Sequence, residues 1–259
     1  MNYRNFEKTF DNATMDYDQS RPVYPEALYQ DIFRYKPVSA DSHVLEIGLG
    51  TGKASPPVLD TGCHFTGIEP GENLITLAKE NLRKYANFSC QNQTLQEYVC
   101  AEQSFDLIYA ATAFHWIPEE YSYARVFRLL KSGGAFARFA YHAGPDRIRR
   151  TLAEQIQACY QKYMPREKEY KEFSEADAER LSALAAKYGF VNTRYSLYHV
   201  AKDFTTDEYM ALLRTYPDHM SLDEDSRRKL FDGIHTAIAQ NGGTVTVYYT
   251  MDLELAEKP

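Results

Sequence analysis

A glycine-rich motif is the part of this sequence best suited to chemistry. It combines an acid with three glycines spaced two apart, namely Glu46, Gly48, Gly50 and Gly52. The acid lies within the apolar residues 44–47 and the glycines follow them, and a second apolar segment, His64–Ile68, ends at another acid, Glu69. Glycine permits a positive φ or close approach to a ligand, and a carboxylate ending a second strand can accept both hydroxyls of a ribose. The pattern therefore predicts a strand–turn–helix–strand unit that binds a nucleoside.

The spacing of the glycines distinguishes between two kinds of nucleoside ligand. The dinucleotide fingerprint is G-x-G-x-x-G, and it places a pyrophosphate at a helix N-terminus. Here the third glycine comes one position earlier and is followed by Lys53. The pattern E-x-G-x-G-x-G resembles motif I of the class I S-adenosylmethionine-dependent methyltransferases. Their cofactor carries an amino acid and a sulfonium where a dinucleotide carries its pyrophosphate.

Three later blocks extend this resemblance in the family's order and spacing, over about residues 40 to 141. Residues 67–70, followed by 73–78, resemble the family's second motif. Phe105–Ala111 resembles the fourth strand, and residues 129–136 resemble the turn into the fifth. The resemblance implies that S-adenosyl-L-methionine is the cofactor.

The resemblance also implies which residues contact that cofactor. Glu69 would bind the ribose and Pro70 would lie along the adenine. Relatives often carry an acid near Gln96, so the glutamine here favours an adenine contact from the main chain of Thr94 or Leu95. The predicted cofactor-binding residues are Glu46, Gly48, Gly50, Thr51, Gly52, Glu69, Pro70, Thr94, Leu95 and Ala110.

The segment after the fourth strand predicts an acceptor site. Open α/β sheets bind ligands at the carboxyl ends of their strands, where residues 114–118 read Phe-His-Trp-Ile-Pro. The His-Trp pair resembles the methyltransferase type 11 and trans-aconitate methyltransferase-like subgroup, as do residues 16–25. The (D/N)-P-P-(Y/F) signature of amino-methyltransferases is absent, which disfavours methylation of DNA amines. The predicted substrate-binding residues are Tyr17, Arg21, His115, Trp116 and Tyr141.

Two histidines are candidates for a general base, which a phenol, amine or carbon acid would need and a carboxylate would not. These histidines are His115 and His142. Tyr216 and His219, in the later cap region, are polar residues that could reach the acceptor site. The seven histidines show no metal-ligand spacing with cysteines or carboxylates, so no metal is expected.

These patterns predict transfer of a methyl group to oxygen, nitrogen or carbon of a small molecule. Two alternatives remain open at this point. One is an NAD-dependent oxidoreductase, which the glycine spacing disfavours. The other is a non-catalytic S-adenosylmethionine-binding regulatory protein, which would keep the motifs but lack an acceptor site.

Composition is typical of a cytoplasmic enzyme. The chain has 259 residues, a net charge of −7 and a pI of about 5.6, so nucleic acid is not an expected partner. The N-terminus lacks a secretory apolar region, and no apolar run suits a membrane span. The four scattered cysteines suit reduced thiols. We expect a monomer or homodimer acting on a small-molecule substrate.

The order of elements predicts an α/β fold with a parallel sheet. The resemblance to the methyltransferases implies a Rossmann-like doubly wound seven-stranded sheet whose last strand is antiparallel, and the additional helices predict helical cap insertions. Alternating strands and helices within residues 40–141 give the cofactor-binding core. Residues 1–35 would form an N-terminal lid segment, and 147–188 and 205–241 the helical cap regions of a single methyltransferase domain, 1–259.

Local patterns also predict individual elements. A helix is expected over Glu26–Tyr35, and another over residues 147–163 with Ile148 on its apolar face. A later helix begins at 205–208 and is stopped by Pro217. The final strand alternates, with Asp252 and Glu254 on its polar face.

Overall fold

A seven-stranded β-sheet organises the structure, a computed structural model that describes residues 20–165 and 171–259. Its strands are β1 (His43–Ile47), β2 (His64–Ile68), β3 (Phe88–Gln91), β4 (Phe105–Ala111), β5 (Leu130–Gly144), β6 (Val191–Thr205) and β7 (Thr244–Glu257). They lie in the order β3-β2-β1-β4-β5-β7-β6.

Helices connect most of the successive strands in the described residues, and a loop without a helix joins β3 to β4. The helices are α1 (Glu26–Tyr35), α2 (Pro56–Leu59), α3 (Glu72–Asn81), α4 (Glu119–Leu129), α5 (Arg150–Tyr163), α6 (Glu175–Ala186), α7 (Thr206–Arg214), α8 (Pro217–Met220) and α9 (Glu224–Gln240). A single 3₁₀ turn, Phe114–Trp116, follows β4. Among the first five strands, helices join β1 to β2, β2 to β3 and β4 to β5, as is usual for parallel crossover connections.

The strands β3, β2, β1, β4 and β5 pair in parallel. In this register Glu46 on β1 lies beside Gly67 on β2 and Tyr109 on β4. All five strands therefore direct their carboxyl ends to one edge of the sheet. The loops that follow β1, β2, β3 and β4 meet at that edge.

The last strand runs antiparallel to its neighbours, as predicted. The amide of Gly133 donates to the carbonyl of Lys258, whose own amide donates to Gly134. Farther along β5, Arg138 forms an ion pair with Glu254. Residue numbers therefore increase along β5 as they decrease along β7, which is the antiparallel arrangement. On the other side of β7, side-chain hydrogen bonds follow the same reversed order, and they are Asn192–Glu257, His199–Thr250 and Asp203–Thr246.

Apolar side chains cover both faces of the parallel part of the sheet. On one face, Tyr29 of α1 contacts Phe139, which in turn stacks on Tyr109. The opposite face packs against α4 and α6 through a buried cluster. That cluster includes Leu45, Ile47, Ile68, Ile108, Phe114, Val126, Phe136, Ala185 and Phe190.

The chain divides into two compact units. The first, which we call the sheet unit, comprises Val23–Tyr141, Phe173–Tyr198 and Met251–Pro259. The second unit comprises the described residues of Met1–Pro22, His142–Glu172 and His199–Thr250. The helix α6, which the sequence analysis grouped with the cap regions, belongs to the sheet unit; the single-domain, lid and cap assignments otherwise stay predictions.

Capping residues set the starts of the later helices. Ser174 and Asp177 form a capping box at α6, Thr205 and Glu208 form another at α7, and Asp223 accepts the amide of Ser226 at α9. The helix predicted over residues 147–163 starts instead at Arg150. Ile148, which was expected on its apolar face, therefore precedes the helix and is 76% exposed.

The alternating pattern of β7 is misleading about its environment. Its polar residues include Asp252 and Glu254, and both are buried. They share a face of β7 with Ala256, which belongs to the buried cluster packed against α4 and α6. Burial next to Asp252 raises the pKa of Glu254 to about 10, although Arg138 Nε lies 3.3 Å from Glu254 Oε2. Within residues 20–165 and 171–259, we find no helix of the length and apolarity needed to cross a bilayer.

Candidate active site

The segment of residues 48–55, which we call the glycine turn, connects β1 to α2. Its first two amides, those of Gly48 and Leu49, donate to the carbonyl of Ile68 at 2.9 and 3.0 Å. Farther along, Asn81 Nδ2 of α3 donates to the carbonyl of Thr51 at 3.0 Å. The start of the turn is thereby bonded to the end of β2, and its middle to α3.

The three motif glycines occupy different environments. A Cβ atom on Gly48 would lie 2.3 Å from Ala113 Cβ, and one on Gly52 would lie 2.6 Å from Leu82 Cδ1. A Cβ on Gly50 would meet nothing within 4 Å. Gly48 and Gly52 are therefore required by packing inside the protein. Gly50 has a φ of +57° and presents its backbone to open space, where a ligand can approach.

Glu69 connects the glycine turn to the loop after β2. Its Oε2 accepts the amide of Gly50 at 2.9 Å, and its Oε1 accepts the amide of Gly71, also at 2.9 Å. Asn92 Nδ2, from the loop after β3, donates to the main-chain carbonyl of Glu69. The structure thus brings together Gly50 and Glu69, two of the predicted cofactor-binding residues.

Glu46, by contrast, faces the interior. It is 1% exposed, and its Oε2 accepts the hydroxyls of Ser55 at 2.6 Å and of Tyr109 at 2.7 Å. Burial raises the pKa of Glu46 to about 8; the two hydroxyl groups lower it and the Glu69 charge raises it further. Thr51 at 1% and Ala110 at 0% exposed are equally enclosed. These three predicted cofactor residues present almost no surface to a ligand.

The loop predicted to contact adenine has a local hydrogen-bond network. Both the amide and the hydroxyl of Thr94 donate to Glu97 Oε2, at 3.0 and 2.9 Å. Because the Thr94 amide is committed to Glu97, the main chain of Leu95 is the better remaining candidate. The Leu95 side chain is buried, Gln96 is exposed and Pro70 is half-buried.

The predicted acceptor segment forms the 3₁₀ turn after β4. Phe114 anchors it in the core, with its ring 4.7 Å from that of Phe136 and 5.1 Å from that of Tyr123. His115 is exposed, Trp116 is half-buried, and their ring centroids lie 4.8 Å apart. The turn therefore holds an imidazole and an indole side by side just beyond the carboxyl end of β4.

An aromatic pair lies near the start of this turn. Tyr24 hydrogen-bonds through its hydroxyl to Thr112 Oγ1, and its ring lies 6.1 Å from that of Tyr141. Thr112 has a φ of +52°, and its amide donates to the carbonyl of Phe139. These contacts bring predicted residue Tyr141 together with Tyr24, within the sheet unit.

The other predicted acceptor residues lie outside this cluster. Arg21 and His142 belong to the second unit, and Tyr17 falls outside the described residues. Arg21 is buried, donates to the carbonyl of Thr215 at 2.8 Å and lies over the Tyr216 ring at 4.4 Å. His219 is also buried; its Nε2 lies 2.9 Å from the Tyr160 hydroxyl and its Nδ1 2.8 Å from Asp218 Oδ1.

Several residues that support the site were not identified from the sequence. They are Tyr24, Ser55, Asn81, Asn92 and Tyr109, whose side chains bond to the glycine turn, Glu46, Glu69 or Thr112. For Ser55 a local signal existed, since it stands at the N-cap of a helix that begins with Pro56. The partners of the others depend on strand pairing and on helix placement.

Comparisons with known proteins agree with this geometry. Residues 44–134 match the family described as "Methyltransferase domain", a range that contains the glycine turn, Glu69 and the 3₁₀ turn. An uncharacterised methyltransferase-like protein of Schizosaccharomyces pombe is 22% identical over 86% of this chain and 83% of its own length. An uncharacterised methyltransferase of Geobacillus sp. (strain WCH70) is 31% identical over 56% of this chain and 70% of its own.

A solved structure shares the fold. It is that of Haemonchus contortus phosphoethanolamine N-methyltransferase 2, in complex with phosphomonomethylethanolamine and S-adenosylhomocysteine. It aligns with a TM-score of 0.58 and 17% identity, covering 100% of this chain and 60% of that one. At this identity the alignment shows a common fold and leaves the acceptor open.

Proposed function

This chain belongs to the class I S-adenosylmethionine-dependent methyltransferases, and from that premise we propose that it methylates an oxygen, nitrogen or carbon atom of a small molecule. It is an enzyme whose cofactor is S-adenosyl-L-methionine. What we propose is the kind of acceptor and which residues bind the acceptor and the cofactor.

Three features of the sheet unit fit this cofactor. At Gly50 the absence of a side chain leaves open space beside the backbone, since a Cβ there would meet no atom within 4 Å. Glu69 places a carboxylate at the end of β2, where a ribose would be bound. The main chain of Leu95 follows β3 and would contact the adenine. We propose that these residues hold the cofactor, with Pro70 beside them and Gly48 and Gly52 shaping the turn.

When bound, the cofactor supplies a methyl group already activated by its sulfonium. The tasks left to the protein are to hold the acceptor atom in line, to exclude water and, for acceptors that need it, to remove a proton. His115 is our first candidate for the proton acceptor because it is exposed and follows β4 directly. His142 is the second.

The observation that carries the small-molecule proposal is the 3₁₀ turn. It offers one imidazole and one indole, anchored through Phe114, in place of the proline-rich signature used on exocyclic DNA amines. An aromatic and imidazole pair suits a compact acceptor with an apolar body and one polar group. The net charge of −7 gives no support for contacts to a phosphate backbone.

Methyl transfer from labelled cofactor tests the proposal. Purified protein is incubated with labelled S-adenosylmethionine and, separately, with a metabolite extract, DNA, RNA and a protein extract. We expect label in the low-mass fraction of the metabolite incubation. Label confined to nucleic acid or protein would overturn the small-molecule assignment. A separate thermal-shift measurement tests the cofactor: S-adenosylhomocysteine should raise the melting temperature of the protein, and NADH should not.

Replacing His115 by alanine tests the proposed proton acceptor. With the acceptor found in that screen, His115→Ala should lower kcat about 100-fold or more and remove the acidic limb of the pH–rate profile. The affinity for S-adenosylhomocysteine should not change. His43→Ala is the matched control, because His43 is an exposed histidine at the opposite edge of the sheet. An unaltered pH profile in the His115 variant would exclude it as the base.

A further inference from the structure

Glu46 is a titratable group for which the proposed chemistry has no use. It lies on β1 two residues before the first motif glycine, between Gly67 and Tyr109 on the neighbouring strands. With 1% of its surface exposed, its carboxyl group contacts the protein interior. A direct contact to the cofactor, as the motif resemblance implied, would need surface that this side chain does not present.

Its hydrogen bonds connect the two ends of the glycine turn. The turn leaves β1 just after Glu46 and ends at Ser55, whose hydroxyl returns to Glu46 Oε2 at 2.6 Å. Tyr109 on β4 donates to the same oxygen at 2.7 Å. Ser55 is 0% exposed and its carbonyl accepts the amides of Val58 and Leu59, so it also starts α2. One carboxyl oxygen therefore joins β1, β4 and the end of the turn.

We propose that Glu46 is a positioning residue that holds the glycine turn in its cofactor-binding conformation through Ser55 and Tyr109, without contacting the cofactor. The inference rests on the proposed assignment of the glycine turn to the cofactor. It deepens that assignment by separating the two acids of the site: Glu69 ends β2 and accepts the Gly50 amide of the turn, whereas Glu46 supports the turn through Ser55 and Tyr109.

The surroundings of Glu46 determine its charge. The groups that face it are Ser55 at the end of the turn, Tyr109 on β4, Tyr29 on α1 and Glu69 after β2. Glu69 is the one charged group among these, and it is negative. Because burial raises the pKa of Glu46 to about 8, the group is largely uncharged at neutral pH. Its ionisation places a second negative charge near Glu69, which holds the Gly50 amide.

This protonation equilibrium predicts a direction for stability. The folded pKa of about 8 lies above the ordinary value of 4.5, so the native state binds the proton more tightly than the unfolded chain. The resulting stabilisation is complete below pH 4.5 and is lost progressively as the pH rises to about 8. A glutamine in this position keeps an acceptor oxygen for both hydroxyls and removes the titration.

The test compares Glu46→Gln with Glu46→Ala by calorimetric titration of S-adenosylhomocysteine between about pH 6.5 and 9.5, which spans the pKa of Glu46. At pH 7 we expect Glu46→Gln to bind within about threefold of the native protein and Glu46→Ala to bind about tenfold more weakly. The affinity of the native protein should fall above about pH 8, where Glu46 ionises, and that of Glu46→Gln should stay constant. Ser55→Ala and Tyr109→Phe each remove one hydrogen-bond donor to Glu46 and should weaken S-adenosylhomocysteine binding less than Glu46→Ala does. If Glu46→Ala does not fold, these two variants provide the test in its place.

Two outcomes would overturn the inference. One is a Glu46→Gln variant that is folded but binds as weakly as Glu46→Ala, which would indicate a direct contact to the ligand. The other is the same pH dependence in the native protein and in Glu46→Gln. A native protein that binds S-adenosylhomocysteine with the expected profile but methylates no small molecule would refute the proposed function and leave the role of Glu46 supported.

Discussion

Replacing Gly50 by valine is expected to abolish S-adenosylhomocysteine binding while the protein stays folded. Gly50 has a φ of +57°, a conformation that costs a β-branched residue about 1–3 kcal/mol. The new Cβ would meet no protein atom within 4 Å, so the side chain would fill the space proposed for the methionine end of the cofactor. Calorimetric titration should detect no binding, and circular dichroism should report an intact fold.

Gly62→Val is the matched control for this substitution. Gly62 also has a positive φ, +81°, but precedes β2 at the opposite edge of the sheet, and its Cβ would lie 3.6 Å from Ala40 Cβ. Both variants should lose similar stability, but only Gly50→Val should lose ligand binding. If Gly50→Val bound S-adenosylhomocysteine as the native protein does, the glycine turn would not be the cofactor site.

Replacing Glu69 by alanine should weaken S-adenosylhomocysteine binding by about 100-fold or more, because two charge-assisted hydrogen bonds to ribose contribute on the order of 1.5–3 kcal/mol each. The structure adds a second expected effect. The carboxylate also accepts the amides of Gly50 and Gly71, so its loss should lower the melting temperature. Titration calorimetry and thermal unfolding of the same sample measure the two effects.

Asn92→Ala separates those two effects of the Glu69 substitution. Its side-chain amide supports the main-chain carbonyl of Glu69, so this variant loosens the same strand end and keeps the carboxylate. We expect a lower melting temperature with nearly native affinity. Equal losses of affinity in Asn92→Ala and Glu69→Ala would mean that Glu69 acts only by holding the loops together.

The parallel part of the fold was predictable because its signals are local. The apolar segments, Gly-rich turns and capping residues that delimit β1 to β5 and their helices lie within short stretches of sequence. The observed α1, Glu26–Tyr35, has the predicted bounds, since Pro25 precedes it and Pro37 closely follows its end. The antiparallel last strand was also predicted, from the resemblance to the methyltransferases.

The predictions that failed depended on distant contacts. The alternation along β7 is typical of a strand with one polar, solvated face, yet Asp252 and Glu254 are buried, on the face where Ala256 joins the cluster packed against α4 and α6. Ile148 resembled a helix core residue but is exposed, because Asp146 accepts the amides of Ile148 and Arg149 before α5 begins. The short helix α8, Pro217–Met220, was read only as the end of the preceding helix.

Local sequence signals were sufficient for the class of fold and the cofactor, and they predicted a turn that binds a nucleoside, because glycine spacing and a strand-terminal acid report local backbone geometry directly. Only the tertiary structure separated the roles of the two acids in that motif. Glu46 lies within an apolar segment and Glu69 ends one, and the sequence predicted a cofactor contact for both. Strand pairing places Tyr109 beside Glu46 and directs its carboxyl group to Tyr109 and Ser55, whereas the carboxylate of Glu69, which is also buried, extends past the end of β2 to the amide of Gly50. Burial and hydrogen-bond partners depend on which strands become neighbours, and that is decided by the packing of the whole sheet.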